Sequence, residues 1–86
     1  MKCFDLRITT PSEQVFNGEA YQLSVRVTDG DIAIMAGHIP FVSAVAAGDC
    51  RVYLPTGESK EARCSAGLLT VSKDATSLLC SEFEWK

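Results

Sequence analysis

Apolar and polar residues alternate one by one along much of this 86-residue chain. Phe4, Leu6 and Ile8 are interleaved with polar residues, and the same period of two continues from Leu23 to Val27 and from Cys50 to Leu54. Successive side chains of a β-strand point to opposite faces, so this spacing is typical of strands with one buried face. No stretch of more than ten residues has the spacing of an amphipathic helix without a glycine or proline in it. The chain is therefore predicted to be all-β.

Turn-forming residues separate these runs at short intervals, which indicates antiparallel strands with tight connections. Asn17-Gly18 and Asp29-Gly30 predict hairpin turns, because glycine and asparagine tolerate a positive φ best. Pro55-Thr56-Gly57 suits a turn with proline at its second position. About eight to ten short strands must fold over one another, since a single sheet would leave one apolar face in water. We expect one domain, residues 1–86, built as an antiparallel β-sandwich or flattened barrel.

The charge balance excludes one class of partner. The formal net charge is −3 and the basic residues form no cluster, whereas binding a nucleic acid requires a basic stripe that neutralises phosphates. No purely apolar run, including the one that ends with Val45 to Ala47, is longer than five residues, which is far shorter than the roughly 20 residues of a membrane span. The first ten residues lack the pattern of a signal peptide. We expect a soluble protein that is not secreted and binds no nucleic acid.

Four cysteines, Cys3, Cys50, Cys64 and Cys80, allow two interpretations. None is spaced as C-x-x-C, the arrangement that local metal loops and redox pairs usually need. Each lies in a strand-like run, where cysteine behaves as a small buried hydrophobe. Free thiols are therefore favoured, and no metal or cofactor is predicted. A zinc site or a thiol-redox role is the alternative.

The sequence contains few of the residue patterns that catalysis requires. A nucleophile needs a base within hydrogen-bond reach, and His38 is the only histidine. No nucleophile elbow and no glycine-rich phosphate loop occurs. We predict no catalytic residue and no nucleotide site.

Two later segments carry structural expectations. Glu58 to Arg63 mixes both charges, which is typical of a sheet edge or of a solvated face. Phe83 and Trp85 lie among charged residues at the end of the chain, and we expect one or both to fold back over the sandwich.

Five segments, taken in order, match the motifs of one protein family. The opening Leu6-Arg7-Ile8-Thr9-Thr10-Pro11 and then Val15-Phe16-Asn17-Gly18-Glu19 are similar to that family's first strand, T-P turn and V-F-S-G-E hairpin. Gly30 to Pro40 is similar to its signature G-E-L-G-I-L-P-G-H-A-P. Gly48-Asp49-Cys50-Arg51-Val52 resembles P-G-x-x-R-I, and Ser65 to Val71 resembles S-G-G-F-L-E-V. With these segments the chain resembles the epsilon subunit of the F-type ATP synthase.

The resemblance implies a ten-stranded β-sandwich, and it also has departures. Ala33, Ala36, Ala66 and Leu68 stand where the family usually has glycine, proline, glycine and phenylalanine. Most members continue into a two-helix hairpin, for which these residues supply no counterpart. The regulatory roles of that hairpin are therefore not carried onto this chain.

The function that the resemblance implies is that of a non-catalytic rotor subunit. Such a subunit docks on the gamma subunit and on the membrane ring of proton- or sodium-carrying c subunits, and it couples ion flow to ATP synthesis. Gly30, Asp31 and Ile32 are the expected contacts with the ring loops. Thr10, His38, Ile39, Pro40 and Phe41 are the expected contacts with gamma. The implied location is peripheral, on the cytoplasmic side of the bacterial plasma membrane.

Two other interpretations stay open. An unrelated interaction module can share the same sandwich, because a fold alone does not fix a function. That alternative predicts a pocket or patch away from Asp31 and His38. The second open interpretation is a cysteine-based metal or thiol protein. The rotor interpretation, in contrast, predicts an exposed apolar patch.

Overall fold

A computed structural model describes residues 2–27, 30–37, 39–73 and 75–86 of the chain. The described residues form ten strands and no helix. The strands are β1 (Phe4–Thr9), β2 (Gln14–Ala20), β3 (Gln22–Val27), β4 (Gly30–Met35), β5 (Phe41–Val45), β6 (Gly48–Tyr53), β7 (Ser59–Cys64), β8 (Gly67–Val71), β9 (Ala75–Cys80) and β10 (Phe83–Trp85). The predicted all-β class is confirmed.

Hydrogen-bonded neighbours lie in the order β10-β7-β6-β3-β5-β8-β9-β1-β2. Strand β4 lies off this path and pairs with β3. Strands β3 and β5 share a single pair of Cα partners, Val27 and Val45. This narrow connection divides the strands into a first sheet, β4-β3-β6-β7-β10, and a second sheet, β5-β8-β9-β1-β2. All pairs are antiparallel except β1 with β9, which is parallel.

Alternation along the strands builds one core between the two sheets. In β1 the side chains of Phe4, Leu6 and Ile8 are buried and those of Asp5 and Arg7 are exposed. The same pattern holds in most other strands, and the inward residues join one continuous cluster. The buried members are Phe4, Leu6, Ile8, Ala20, Leu23, Val25, Ile34, Val45, Cys50, Val52, Cys64, Leu69, Val71, Leu78 and Cys80.

The hairpin predicted at Asn17-Gly18 is wrong. Both residues lie inside β2, where Asn17 pairs with Arg7 and Gly18 with Leu6. Gly18 does not have a positive φ. The chain instead reverses between Thr10 and Glu13, whose backbone groups bond each other in both directions at 2.9 and 3.3 Å. A threonine and proline turn therefore takes the place that the asparagine and glycine signal suggested.

The other two turn predictions have different outcomes. Val27 pairs with Gly30, and Gly30 opens β4 with a φ of 129°. The first residue of the predicted turn Asp29-Gly30, Asp29, lies outside the described residues. The turn at Pro55 is confirmed, because the N–H of Gly57 donates to the carbonyl of Leu54 at 3.0 Å and places proline second.

The mixed-charge segment and the final aromatic residues take defined places. Strand β7, which holds most of the segment from Glu58 to Arg63, pairs with β6 on one side and with β10 on the other. Strand β10 pairs only with residues 62–64 of β7, so Ser59 and Lys60 have no ladder partner on that side among the described strands. The segment is therefore a solvated face whose first part is also a sheet edge. Phe83 and Trp85 are half-buried and pack against the core, which confirms that the end of the chain folds back.

Candidate docking surfaces

Thr10 closes the turn between β1 and β2. Its Oγ1 accepts a hydrogen bond from the N–H of Glu13 at 3.3 Å and lies at the same distance from the hydroxyl of Ser12. These contacts occupy the hydroxyl within its own turn. Thr10 therefore offers a rigid, half-buried turn and not an apolar contact.

The segment from Ile39 to Phe41 enters β5 and is the most exposed apolar part of this end of the sandwich. Ile39 is 78% exposed and Pro40 is also exposed, whereas Phe41 is half-buried against the core and pairs with Val71. His38, the remaining residue predicted to contact gamma, lies outside the described residues.

The described residues among those predicted to contact gamma lie in two separate groups. Phe41 pairs with Val71 at one end of the ladder between β5 and β8, and Val45 pairs with Gly67 at the other end. Thr10 follows Thr9, the partner of Leu79, and so lies toward the Gly67 end. A surface nearly as long as these strands separates the two groups.

That intervening surface is apolar. The rotor interpretation predicted an exposed apolar patch, but the sequence analysis did not assign these residues to it. We call Val42, Ala44, Leu68 and Leu79 the outer apolar face. The Cα register places Ala44, Leu68 and Leu79 side by side on three adjacent strands, with Val42 two residues before Ala44 on the same face. Val42, Leu68 and Leu79 are 64%, 44% and 48% exposed.

A signal for the outer apolar face exists in the sequence. Leu68-Leu69 and Leu78-Leu79 are pairs of consecutive apolar residues, and so are Phe41-Val42 and Ala44-Val45. A strand with one wet face alternates apolar with polar residues, so an apolar pair means that the outward position is apolar as well.

The residues predicted to contact the ring lie together at the start of β4. Gly30 and Asp31 are exposed, and Ile32 is half-buried against the core. Asp31 is the direct cross-strand partner of Arg26, and its Oδ1 accepts from the Nε of that side chain at 3.3 Å. The positive φ of Gly30 explains glycine at this position by backbone conformation, whatever the strand contacts.

The outward face of the first sheet carries charges of both signs. We call Arg26, Asp31, Asp49, Arg51, Glu61, Arg63 and Lys86 the charged face. Lys86 donates to Asp49 at 2.9 Å, and Arg51 pairs with Glu61. The hydrogen bond and the charge of Lys86 lower the pKa of Asp49, and the charges of Arg63 and Arg26 add to that effect. A shallow groove of about 320 Å³ runs between these pairs.

The cysteines favour a packing role. All four are free thiols, and Cys50, Cys64 and Cys80 are buried in the core. Burial raises the pKa of Cys50 to about 12 and that of Cys80 to about 11, so these groups are neutral thiols at pH 7. Within the described part of the chain, no three cysteine, acidic or histidine side chains are grouped as metal ligands. The same residues contain no helix that is long and apolar enough to cross a membrane.

Relatives with this sequence pattern are ATP synthase epsilon chains. The chain is 32% identical over 84 residues to the epsilon chain of Clostridium novyi, covering 98% of this chain and 64% of that one. It is 34% identical over 86 residues to the epsilon chain of Ruminococcus albus, at 99% and 63% coverage. It is 34% identical over 82 residues to the sodium ion specific epsilon chain of Propionigenium modestum, at 95% and 59% coverage. The chain thus spans about three fifths of the length of these relatives.

Solved structures with the same fold are also rotary synthases. A chain of the Euglena gracilis mitochondrial ATP synthase, solved with its F1 and c-ring, superposes with a TM-score of 0.92 at 20% identity, covering 96% of this chain and 53% of that one. A chain of the Tetrahymena thermophila mitochondrial central stalk and c-ring gives a TM-score of 0.82 at 10% identity, with 95% and 66% coverage. At these identities the likeness concerns the fold alone.

A family model covers nearly the whole chain, with residues 3–86 matching the description "ATP synthase, Delta/Epsilon chain, beta-sandwich domain". This match agrees with the ten strands and with the relatives above. The chain therefore belongs to the family of the β-sandwich domain of the ATP synthase delta/epsilon chain.

Proposed function

We propose that this chain acts as a non-catalytic rotor element of an F-type ATP synthase, docking on the gamma subunit and on the membrane ring. The observation that carries the proposal is the outer apolar face. A soluble monomer normally exposes only small apolar patches, whereas here apolar side chains are exposed on three adjacent strands. A permanent partner that covers this face removes it from water.

Gamma is the partner that suits the outer apolar face. A packed interface needs an apolar centre with a polar rim, and Leu68 and Leu79 supply the centre. Thr10 lies toward one end of the face, and Ile39 and Pro40 lie toward the other. The family pattern also has a large apolar residue, phenylalanine, at the exposed position that Leu68 fills here. Thr10, Ile39 and Pro40, three of the residues first expected to contact gamma, then lie around the edge of this interface.

The ring is proposed to meet the start of β4. Gly30 and Asp31 are exposed at the end of a hairpin, where a polar loop of another subunit has access. The carboxylate of Asp31 gives this end a charge that a ring loop can recognise. Ile32 packs inward and fixes the strand beneath the contact.

Two docking surfaces on different faces give the element its mechanical role. A sandwich with one continuous core transmits force between them without bending, because packed interiors have low compressibility. Movement of the ring then turns gamma, and ion flow is coupled to ATP synthesis. In a bacterium, this proposal places the chain at the cytoplasmic side of the plasma membrane, held there by the complex.

The test is binding to purified gamma from the same organism, by size-exclusion chromatography and calorimetry. Wild type is expected to form a one-to-one complex. Leu68→Ser with Leu79→Ser is expected to weaken it at least about tenfold, since large interface side chains in the centre contribute most of the affinity. Asp31→Lys, at the ring side, is the matched control and is expected to leave gamma binding unchanged. His38→Ala is expected to weaken it less than the double variant.

Two results contradict this assignment. No complex with folded partners at tens of micromolar removes the proposed docking on gamma. A complex that is indifferent to the double serine variant, with its fold intact by circular dichroism, moves the contact to another surface of the sandwich.

A further inference from the structure

Arg26 and Asp31 form a pair whose position is fixed by the hairpin. They are direct cross-strand partners on β3 and β4, and their side chains meet on the outward face. The contact joins Nε of Arg26 to Oδ1 of Asp31 at 3.3 Å, and the two side chains are 57% and 73% exposed. The pair therefore sits at the proposed ring contact and is open to solvent.

The aliphatic stem of the Arg26 side chain packs against Gly48 on the neighbouring strand β6. A Cβ added to Gly48 on β6 would lie 3.4 Å from Cδ and 3.8 Å from Nε of Arg26. The carbonyl of Arg26 accepts from the N–H of Ala46 at 3.0 Å, which fixes its backbone from the same side. The distances from that added Cβ are those of ordinary van der Waals contacts, so the arginine stem packs against β6 at position 48, while its Nε pairs with Asp31.

Asp49 is a second carboxylate near Arg26, and it is already paired with Lys86. Asp49 feels the positive charge of Arg26, but it is bonded to Lys86 at 2.9 Å. Lys86 is itself anchored, because its N–H donates to the carbonyl of Glu61 at 2.9 Å. With Asp49 occupied, Arg26 is left to pair with Asp31.

The pair uses only part of the bonding capacity of each head group. Arg26 donates to Asp31 through Nε, and its two Nη groups make no hydrogen bond within the described part of the chain. The second oxygen of Asp31 accepts no hydrogen bond from a described residue. An arginine head has five N–H donors in a planar fork, and a carboxylate accepts at both oxygens. The surface therefore presents a donor fork and an acceptor side by side.

We propose that Arg26 is a positioning and specificity-determining residue for the ring contact, which rests on the proposed function above. It holds the carboxylate of Asp31 in one orientation and donates to the partner through its own Nη groups. The partner that fits is a polar loop carrying a basic side chain next to a carboxylate or carbonyl oxygen. A loop with basic groups alone fits poorly, because Arg26 repels them.

The experiment measures the binding of the chain to the detergent-solubilised ring of the same organism by biolayer interferometry. Arg26→Gln is expected to weaken binding about fivefold or more, a loss of the size of one exposed charged contact. Arg63→Gln is the matched control: it removes the same charge from the same face and has no ion pair with a described residue. It is expected to change affinity less than twofold.

A second variant separates specificity from support of the hairpin. Arg26→Asp with Asp31→Arg keeps a cross-strand pair and the net charge but reverses the order of the charges. It is expected to fold like wild type, by thermal melting, and to lose ring binding about fivefold or more. An effect on stability alone does not produce this combination.

The outcomes distinguish the inference from the function on which it rests. If the Arg26→Gln variant binds the ring as well as the Arg63→Gln variant does, or more tightly than wild type, the proposed role of Arg26 is overturned. Asp31 alone then attracts the ring. A swapped variant that binds normally overturns it too. Wild type that binds gamma but not the ring removes the ring contact itself, and the role of Arg26 with it.

Discussion

The ring of Phe16 on β2 lies edge-on against the indole of Trp85 on β10, with centroids 6.2 Å apart and planes at 61°. Strands β2 and β10 are the last strands of the two sheets, and no backbone ladder joins them among the described residues. Phe83 adds a second edge-on contact to Trp85 at 4.9 Å, and Lys60 lies 5.0 Å over its ring. Aromatic contacts therefore close the side of the sandwich that hydrogen bonds leave open.

Phe16→Ala is expected to lower the free energy of unfolding by about 1 to 3 kcal/mol, because it removes a half-buried ring and its edge-on contact. Urea denaturation followed by circular dichroism measures this loss. Trp85 is the only tryptophan, so its emission is expected to shift to longer wavelength as the indole becomes wetter. Val42→Ala, at an exposed position, is the control. Unchanged stability and emission would show that this contact does not close the sandwich.

Gly67→Ala is expected to destabilise the protein by about 2 to 3 kcal/mol through overpacking. A Cβ at this position would lie 2.0 Å from the carbonyl oxygen of Leu79 and 2.8 Å from Cα of Cys80, both of them backbone atoms. Gly18→Ala is the matched control within a strand, since its Cβ would meet only the ring of Phe16, at 3.8 Å. The control is expected to stay within about 1 kcal/mol of wild type. Equal chemical denaturation midpoints for the two variants would contradict the tight approach of β8 to β9.

The adjacent leucines on β8 are expected to lose very different amounts of stability on the same change. Leu69→Ala removes a fully buried side chain and is expected to cost about 2 to 5 kcal/mol. Leu68→Ala, on the outer apolar face, is expected to cost less than about 1 kcal/mol. Thermal melting and urea denaturation of both variants measure the difference. A large loss for Leu68→Ala would mean that this side chain supports the fold and is not simply exposed for a partner.

Stability is expected to fall as the pH rises above about 9. Burial raises the pKa of Cys50 from 9.0 to about 12 and that of Cys80 to about 11, so the folded state keeps protons that the unfolded state releases. Each thiol then favours folding fully below pH 9, and its contribution is lost between pH 9 and its folded pKa. The slope is at most about 1.4 kcal/mol per pH unit for each thiol.

Urea denaturation between pH 8 and 11 tests this loss, with a Cys50→Ala and Cys80→Ala double variant as the control. The double variant is expected to be less stable at pH 8 but to lose less stability as the pH rises. Parallel curves for the two proteins would show that other groups, such as lysines, produce the decline.

Alternation predicted those strands in which one face is wet and the other is buried. In β1, β3 and β6 the core residues are large and the outward ones polar, so the pattern is visible without the structure. The sequence pattern does not reveal strand β2, because its inward positions include Gly18 and Ala20, whose small side chains do not mark an apolar face. Asn17 next to Gly18 then imitates a turn, although pairing with β1 keeps both residues extended.

The docking surfaces were only partly predictable for a different reason. The resemblance supplied Asp31 and the segment from Ile39 to Phe41 as candidate contacts. The pairing of Arg26 with Asp31 depends on the register between β3 and β4, which composition does not reveal. The row of Ala44, Leu68 and Leu79 depends in turn on which three strands are neighbours, and that follows from the topology of the whole chain.

The parallel pairing of β1 with β9 also determines when this protein can fold during synthesis. The partner of Leu6 is Thr76, so 70 residues of chain separate two strands that lie side by side. Until β9 has left the ribosome, β1 has a strand partner on only one of its two edges, β2, and closing so long a loop slows folding. The nascent chain therefore remains incompletely folded until nearly all of these residues have emerged, and it is open to chaperones and proteases over that interval.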